Sequence, residues 1–201
     1  MQTSRIELVR LTSDHLPGYH AIWSDRVATR WSPHGPCSTL EDSKEWMSPL
    51  LPETNAKGDN YAVLLRTPLA PEIINSRGLA GDEVLVPGGF LGWVGTWRSD
   101  PVPEVGLIFH RACWGLGFAT EALEAFLKVF WANRPEFELL DAWCDTENIA
   151  SQNVLKKCRF ALVESVTGDY TLPWMVPALR SSLRFQIRRS TISPGGVGKE
   201  D

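Results

Sequence analysis

Two glycines one residue apart, Gly115 and Gly117, are the first residues in this sequence whose type and spacing could do chemistry. Such a pair allows a tight turn without a Cβ clash. The apolar run from Val105 to Phe109 precedes the turn and predicts a short buried strand. After Gly117 the apolar residues recur with a 3.6-residue period, which predicts a helix packed on a sheet. These apolar positions are Ala119, Ala122, Leu123, Phe126, Val129 and Phe130.

A strand, a glycine turn and a helix N-terminus in succession can hold an anion. The start of a helix has four free N–H groups and the positive end of the dipole, and glycines let a phosphate approach the backbone. The same pattern also occurs where a strand simply connects tightly to a helix, so both interpretations stay open at this point. No Gly-Lys-Ser/Thr follows, which excludes an ATP-type phosphate loop, and Thr120 stands where a dinucleotide fingerprint would need a third glycine.

The composition is that of an ordinary globular protein. A chain of 201 residues suits one domain with a proper core. The formal charge of −4 argues against a nucleic-acid partner. The first residues lack the apolar core of a signal peptide, and no apolar run is long enough to span a bilayer. We therefore expect a cytoplasmic protein without a membrane partner.

Cysteine and histidine spacing gives no sign of a metal site. The four cysteines form no CxxC pair and the four histidines are scattered, so we expect free thiols and no bound metal. The cysteines are Cys37, Cys113, Cys144 and Cys158.

The order of predicted elements indicates an α/β domain (α+β mixed) whose sheet is antiparallel at its front and joined by crossovers at its back. Helices are predicted after Thr12, Thr39, Gly117 and Asn148, each at a capping or turn signal. Strands are predicted at residues 6–11, 61–65, 90–97, 104–110, 139–144, 160–166 and 183–188.

Two long segments and a tail interrupt this order. Residues 66–89 are too long for a hairpin connection and are either a functional flap or a surface excursion without function. Residues 168–177 are predicted to form a loop. The tail from Ser190 is predicted to be disordered, which leaves a single domain over residues 1–189.

Three motifs together resemble a known family. They are Glu104-Val105-Gly106, the run WGLGFATEA from Trp114, and Asn148-Ile149-Ala150-Ser151 followed by a basic stretch that ends at Phe160. Their order is similar to that of the GNAT superfamily of acyl-CoA N-acyltransferases, in particular the RimJ/RimL-like branch. The resemblance implies a mixed, mostly antiparallel central sheet, flanked by helices and splayed where acyl-CoA binds.

The resemblance also implies acetyl-CoA as co-substrate and names the residues that would hold it. The pantetheine arm would lie along Ile108, Phe109 and His110, and Asn148 and Ser151 would help to position the molecule. The pyrophosphate would be held by Cys113, Trp114, Gly115, Leu116, Gly117, Phe118 and Ala119.

Three residues depart from the family pattern. Ala112 stands where the loop usually has Gln or Arg, which costs little if backbone amides bind the anion. Arg159 replaces the glycine before Phe160, so we expect a different turn at the end of that helix. Leu155 replaces the tyrosine that protonates the thiolate in many relatives, and the resemblance points to Ser151 instead.

The catalytic roles have structural alternatives. Glu104 is the favoured base, against a solvated carboxylate at a strand end, and His110 is the second choice. Ser151 is the candidate acid, against simple packing in a capping turn. Asn148 can be a helix N-cap as well as a cofactor contact.

The last part of the predicted site is the one that would hold the amine acceptor. Trp31, Trp97, Trp143 and Trp174 are candidates for aromatic walls of its site, although tryptophan usually packs in cores. We expect a small-molecule amine first and a peptide or protein N-terminus second, and a monomer or a homodimer. The hypotheses are an N-acetyltransferase and, from another class, a non-catalytic acyl-CoA-binding module.

Overall fold

The computed structural model describes residues 1–56, 58–79, 84–98 and 101–189, without the side chains of Trp97 and Arg98. The predicted disordered tail from Ser190 lies outside these residues. In the described part, no helix combines the length and apolar character that a membrane span requires.

Seven strands and five α-helices are interspersed along the described part of the chain. The strands are β1 (Ile6–Arg10), β2 (Asn60–Leu65), β3 (Phe90–Arg98), β4 (Glu104–Phe109), β5 (Leu139–Asp145), β6 (Ala161–Thr171) and β7 (Leu179–Arg188). The helices are α1 (Leu16–Trp23), α2 (Leu40–Met47), α3 (Pro71–Arg77), α4 (Phe118–Asn133) and α5 (Ile149–Lys157).

The strands form one seven-stranded sheet in the order β1-β2-β3-β4-β5-β7-β6. Every neighbouring pair is antiparallel except β4 and β5, which are parallel and pair only at Glu104 and Asp141. On its other side, β4 stays paired with β3 as far as Gly92 and Phe109. The predicted mixed, mostly antiparallel sheet is confirmed, and it opens between β4 and β5.

Each face of the sheet has its own apolar core. The larger core packs α4 and α5 against one face, where Val105 and Phe109 of β4 meet Leu140 and Ala142 of β5. The smaller core packs α1 and α2 on the other face around the buried Trp93. The predicted capping box at the start of α2 is present, since Thr39 and Asp42 exchange hydrogen bonds between side chain and backbone.

The prediction of a loop at residues 168–177 is wrong for its first part. β6 continues to Thr171, and β7 begins at Leu179 rather than at residue 183. The pairing register shifts between Val166 and Tyr170, around Gly168 with its positive φ of 62°. β6 is an edge strand exposed on both faces, so it lacks the alternation that would reveal it in the sequence.

The segment 66–89 contains the short helix α3, which the sequence analysis missed. Pro71 occupies the first helical position, where proline is tolerated because its missing N–H has no helical partner. Leu69 and Leu85 are buried in the larger core. The described part of this segment is therefore packed on the domain rather than extended into solvent.

The expectation of a different turn after α5 is wrong. Arg159 adopts the left-handed conformation that a glycine would take, with φ of 66°. Its N–H donates to the Lys156 carbonyl oxygen at 3.0 Å, and the Phe160 N–H donates to that of Leu155 at 3.0 Å. This pairing is a Schellman motif, so the helix ends as it would with glycine.

Candidate active site

The opening between β4 and β5 is the candidate site. These strands are the parallel neighbours in the described sheet, and each is followed by a turn and a helix, α4 or α5. Parallel strands have their carboxyl ends at the same edge, and ligands of open sheets bind in the crevice outside those ends. The divergence of β4 from β5 therefore forms a gap with two helix N-termini at its open end.

On the side of β4 that faces the gap, backbone groups beyond the Glu104–Asp141 pairing have no strand partner among the described residues. The His110 N–H donates to Leu91 of β3 at 2.9 Å, and the Pro103 carbonyl accepts from Asp141 of β5 at 2.8 Å. Because backbone groups alternate along a strand, Leu107 directs its N–H and C=O toward the gap. An extended ligand there can pair with β4 as an added strand would.

The three residues predicted to line the pantetheine have different surroundings. Ile108 is paired with Trp93 of β3. The Phe109 carbonyl accepts the Trp114 indole N–H at 3.0 Å. His110 Nδ1 accepts the Ala112 N–H at 3.3 Å, which closes the short turn after β4.

The glycine turn at the open end presents unused N–H groups. Gly115 and Gly117 have φ of 71° and 83°, conformations that glycine adopts without steric cost. Within the described residues, no hydrogen bond occupies five N–H groups of this turn and the first turn of α4. These belong to Gly115, Gly117, Phe118, Ala119 and Thr120. Together they form a cluster that favours an anion.

Arg5 holds the glycine turn in place through the Leu116 carbonyl. Its Nη1 donates to the Leu116 carbonyl at 2.8 Å, and its Nε donates to Glu121 Oε2 at 2.7 Å. Burial alone would raise the pKa of Glu121, but hydrogen bonds from Thr3 and Arg5 outweigh burial and lower that pKa. The carboxylate therefore stays ionised and holds the guanidinium against the turn.

Two carboxylates lie at the closed end of the gap. Glu104 is the direct neighbour of Asp141 across the strands. Since Val105 and Leu140 face the larger core, Glu104 and Asp141 both face the side of the sheet that carries α1 and α2. Asp141 accepts hydrogen bonds from Gln186 at 2.8 Å and from Arg184 at 3.4 Å.

Asp141 was missed in the sequence analysis, although an acidic residue inside the apolar run LLDAWC was a usable signal. At 3.3 Å per residue, Glu104 lies about 17 Å along β4 from Phe109. The carboxylates and the glycine turn therefore mark opposite ends of the gap.

The start of α5 borders the gap from β5. Asn148 Oδ1 accepts the Ser151 N–H at 3.2 Å, so the predicted N-cap is present. The Ser151 hydroxyl makes no hydrogen bond among the described residues, and Leu155 is buried in the larger core. A serine hydroxyl is thus available where the tyrosine is absent.

An ionic cluster fixes the end of β5. It could not be predicted from local sequence patterns, because its members are far apart in the chain. Arg180 donates two hydrogen bonds of 2.8 Å to Asp145, and the Tyr170 hydroxyl donates to the same carboxylate at 2.6 Å. Burial alone would raise the pKa of Asp145, but these bonds lower it. Burial raises the pKa of the adjacent Cys144 thiol to about 12, so this thiol is protonated at neutral pH.

Trp31 and Trp174, two of the four tryptophans predicted to line the acceptor site, lie in loops that contact each other at Arg30. The Trp174 indole donates to the Arg30 carbonyl at 2.9 Å, and the Arg30 guanidinium lies 4.9 Å from the centre of the Trp31 ring. Trp143 lies apart on β5, with the Arg184 guanidinium 5.8 Å from its ring centre. Trp97 was also predicted to form a wall of the acceptor site, but its side chain lies outside the part that the structure describes.

A family model links this geometry to a known class of protein. The model of the GNAT acetyltransferase domain matches residues 5–161. The chain therefore belongs to the GNAT acetyltransferase family, whose members use acetyl-CoA as co-substrate. No curated protein matches the chain significantly in sequence.

Solved structures share the fold at low sequence identity. A spermidine N-acetyltransferase from Vibrio cholerae, in complex with CoA and spermine, is 13% identical with a TM-score of 0.73, over 96% of this chain and 100% of that one. A GNAT-family acetyltransferase from Bacillus anthracis is 18% identical with a TM-score of 0.69, over 94% and 98%. The RimL ribosomal L7/L12 α-N-protein acetyltransferase, in complex with CoA, is 14% identical with a TM-score of 0.69, over 92% and 95%.

Metal-ligating side chains do not cluster in the described part of the chain: no group of three or more His, Cys, Asp or Glu residues there could hold an ion.

Gly117→Val tests the glycine turn. A β-branched residue at a φ of 83° is strained, so the turn must move, although its Cβ would make only an ordinary contact of 3.4 Å with Arg5. We expect the dissociation constant for CoA, measured by titration calorimetry, to rise at least tenfold. The control is Gly88→Val, which also has a positive φ of 85° but has open space around its Cβ. Equal CoA affinities for the two variants would contradict this role of the turn.

Proposed function

We propose that this protein transfers an acetyl group from acetyl-CoA to a primary amine, as a RimJ/RimL-like N-acetyltransferase. The observation that carries the proposal is the gap between β4 and β5, with unused turn amides at its open end. An anionic head with a long extended arm is the ligand that such a site fits. CoA has that shape.

The co-substrate has a consistent position in the gap. The diphosphate binds the N–H groups from Gly115 to Thr120, and the arm follows β4 past Leu107. The thioester then lies between the start of α5, where Ser151 is, and Glu104, since β4 extends about 17 Å from Phe109 to Glu104. Asn148 and Ser151 border the arm from the start of α5.

The reaction is a direct acyl transfer in a ternary complex. Glu104 takes a proton from the ammonium group, directly or through a water, and frees the nitrogen lone pair. The nitrogen attacks the thioester carbonyl carbon, and a C–N bond forms. As the tetrahedral intermediate collapses, the C–S bond breaks and the thiolate takes a proton from the Ser151 hydroxyl. The second proton of the attacking nitrogen passes through water to the serine oxygen, and Glu104 returns its proton to solvent. The products are the acetylated amine and CoA.

The acceptor approaches from the face that carries α1 and α2. Glu104, Asp141 and Trp143 face that side, and loops holding Trp31 and Trp174 meet there. Carboxylates attract an ammonium group, and aromatic rings add contact with an apolar or cationic body. A small-molecule amine is the first choice and a protein N-terminus the second, in accord with neighbours described as spermidine and ribosomal-protein acetyltransferases.

A screen of amines tests the function. We expect the protein to release free CoA thiol from acetyl-CoA when it is given the right primary amine, with mass spectrometry showing the acetylated product. The panel includes polyamines, aromatic amines, amino acids and peptides with free N-termini. Tight CoA binding without turnover on any of them would favour the acyl-CoA-binding module instead.

Glu104→Gln tests the proposed base. The amide cannot accept the ammonium proton, so we expect kcat to fall at least ~100-fold at neutral pH, while the dissociation constant for acetyl-CoA changes less than twofold. The control is Glu136→Gln, which removes an exposed carboxylate that is 4.0 Å from Arg134. An unchanged kcat for Glu104→Gln would exclude this residue as the base.

A further inference from the structure

The helix α3 ends on the glycine turn. Arg77, its last residue, donates from Nη1 to the Trp114 carbonyl at 3.0 Å and from Nη2 to the Gly115 carbonyl at 3.3 Å. The next carbonyl, that of Leu116, accepts from Arg5 at 2.8 Å. Three successive carbonyls of the turn are therefore held by two arginines.

This arrangement determines where the amides of the turn point. In a trans peptide the C=O and N–H of one unit point in opposite directions. Carbonyls of Trp114 and Leu116 that face the arginines leave the N–H groups of Gly115 and Gly117 directed away from them. These two N–H groups are among those without a hydrogen bond in the described residues.

The arginines near the turn differ in whether a carboxylate is paired with their positive charge. Arg5 is paired with Glu121 at 2.6 Å, and Arg111, in the short turn before the glycines, is paired with Asp25. Arg77 forms no ion pair with any residue that the structure describes. Among the described residues it therefore places a positive charge without a carboxylate partner beside the turn, where an anion is favoured.

The position of Arg77 is fixed by its own segment. Ile74 and Leu79 pack on the larger core from either side of it. Gly78 ends the helix with φ of 65°, and the Leu79 N–H donates to the Ile74 carbonyl at 2.9 Å. The helix end is thus ordered against the domain, and the guanidinium reaches the turn from a fixed point.

We propose that Arg77 is a positioning residue for the anionic head of the co-substrate, supplied by the segment 66–89. It holds the Trp114 and Gly115 carbonyls so that the turn amides face the diphosphate, and it adds a positive charge beside them. The inference rests on the proposed binding of acetyl-CoA and extends it, because it gives the segment 66–89 a part in that binding.

Arg77→Gln and Arg77→Ala test this inference by titration calorimetry with CoA at low and at high salt. The matched control is Arg66→Gln, because Arg66 also donates from an exposed guanidinium to a backbone carbonyl, that of Thr3 at 2.7 Å, and Thr3 is not part of the turn. We expect Arg77→Ala to weaken CoA binding about tenfold, because the turn amides are then held less firmly toward the diphosphate and one positive charge is lost. Arg66→Gln should change it less than twofold.

The salt dependence of CoA binding distinguishes an effect of the Arg77 charge from a purely structural effect of its substitution. For the unmodified protein, CoA affinity should fall as salt rises, and for Arg77→Gln it should fall less steeply because one cation is gone. A structural loss alone would weaken binding with an unchanged salt slope, and that outcome would overturn the proposal. So would an Arg77→Ala affinity equal to that of Arg66→Gln. If the unmodified protein does not bind CoA, the proposed function itself fails, which is a distinct result.

Discussion

The separation of β4 from β5 is the constraint on which the rest of the structure depends. One parallel pairing, Glu104 with Asp141, holds the two strands together, and beyond it the β4 backbone groups that face β5 pair with no strand in the described part of the chain. Buried backbone groups without partners are costly, so a gap of this kind is stable only if water or a ligand fills it. A ligand that pairs with β4 along its length satisfies those groups.

Polar contacts keep both sides of the gap in place. On the β4 side, Arg5 with Glu121 and Arg77 of α3 bind the outer surface of the glycine turn. On the β5 side, Asp145 binds Arg180 and Tyr170, whose strands β7 and β6 lie beyond β5. These contacts anchor each end of the opening to a different part of the fold, so the site is preorganised instead of assembled by the ligand.

Much of the fold was predictable because it depends on local signals. The apolar run of β4, the glycines at 115 and 117, the capping box at Thr39 and the N-cap at Asn148 are short-range patterns, and each appears where the sequence predicted it. The helix α3 and the extension of β6 were missed, because a seven-residue helix and a two-sided edge strand carry weak periodicity. Arg159 was misjudged because tertiary packing and a Schellman pairing hold an arginine in a conformation that local preference disfavours.

The site was predictable only in part, for a related reason. The turn amides follow from two glycines, but Arg77 and Arg5 reach them from residues far away in the chain, and no spacing rule links these positions. The same holds for Asp141, whose partnership with Glu104 depends on the register of two strands.

The most direct test of the central claim is the thermal unfolding midpoint of the protein with and without acetyl-CoA, with NAD as the control ligand. A ligand that binds only the folded state stabilises it by mass action, by about 2.7 kcal/mol at a hundred times its dissociation constant. The gap predicts a clear rise of the midpoint with acetyl-CoA and little or none with NAD, because NAD has a diphosphate but no pantetheine arm. No rise at millimolar acetyl-CoA, or an equal rise with NAD, would contradict the assignment of the gap between β4 and β5 as an acyl-CoA site.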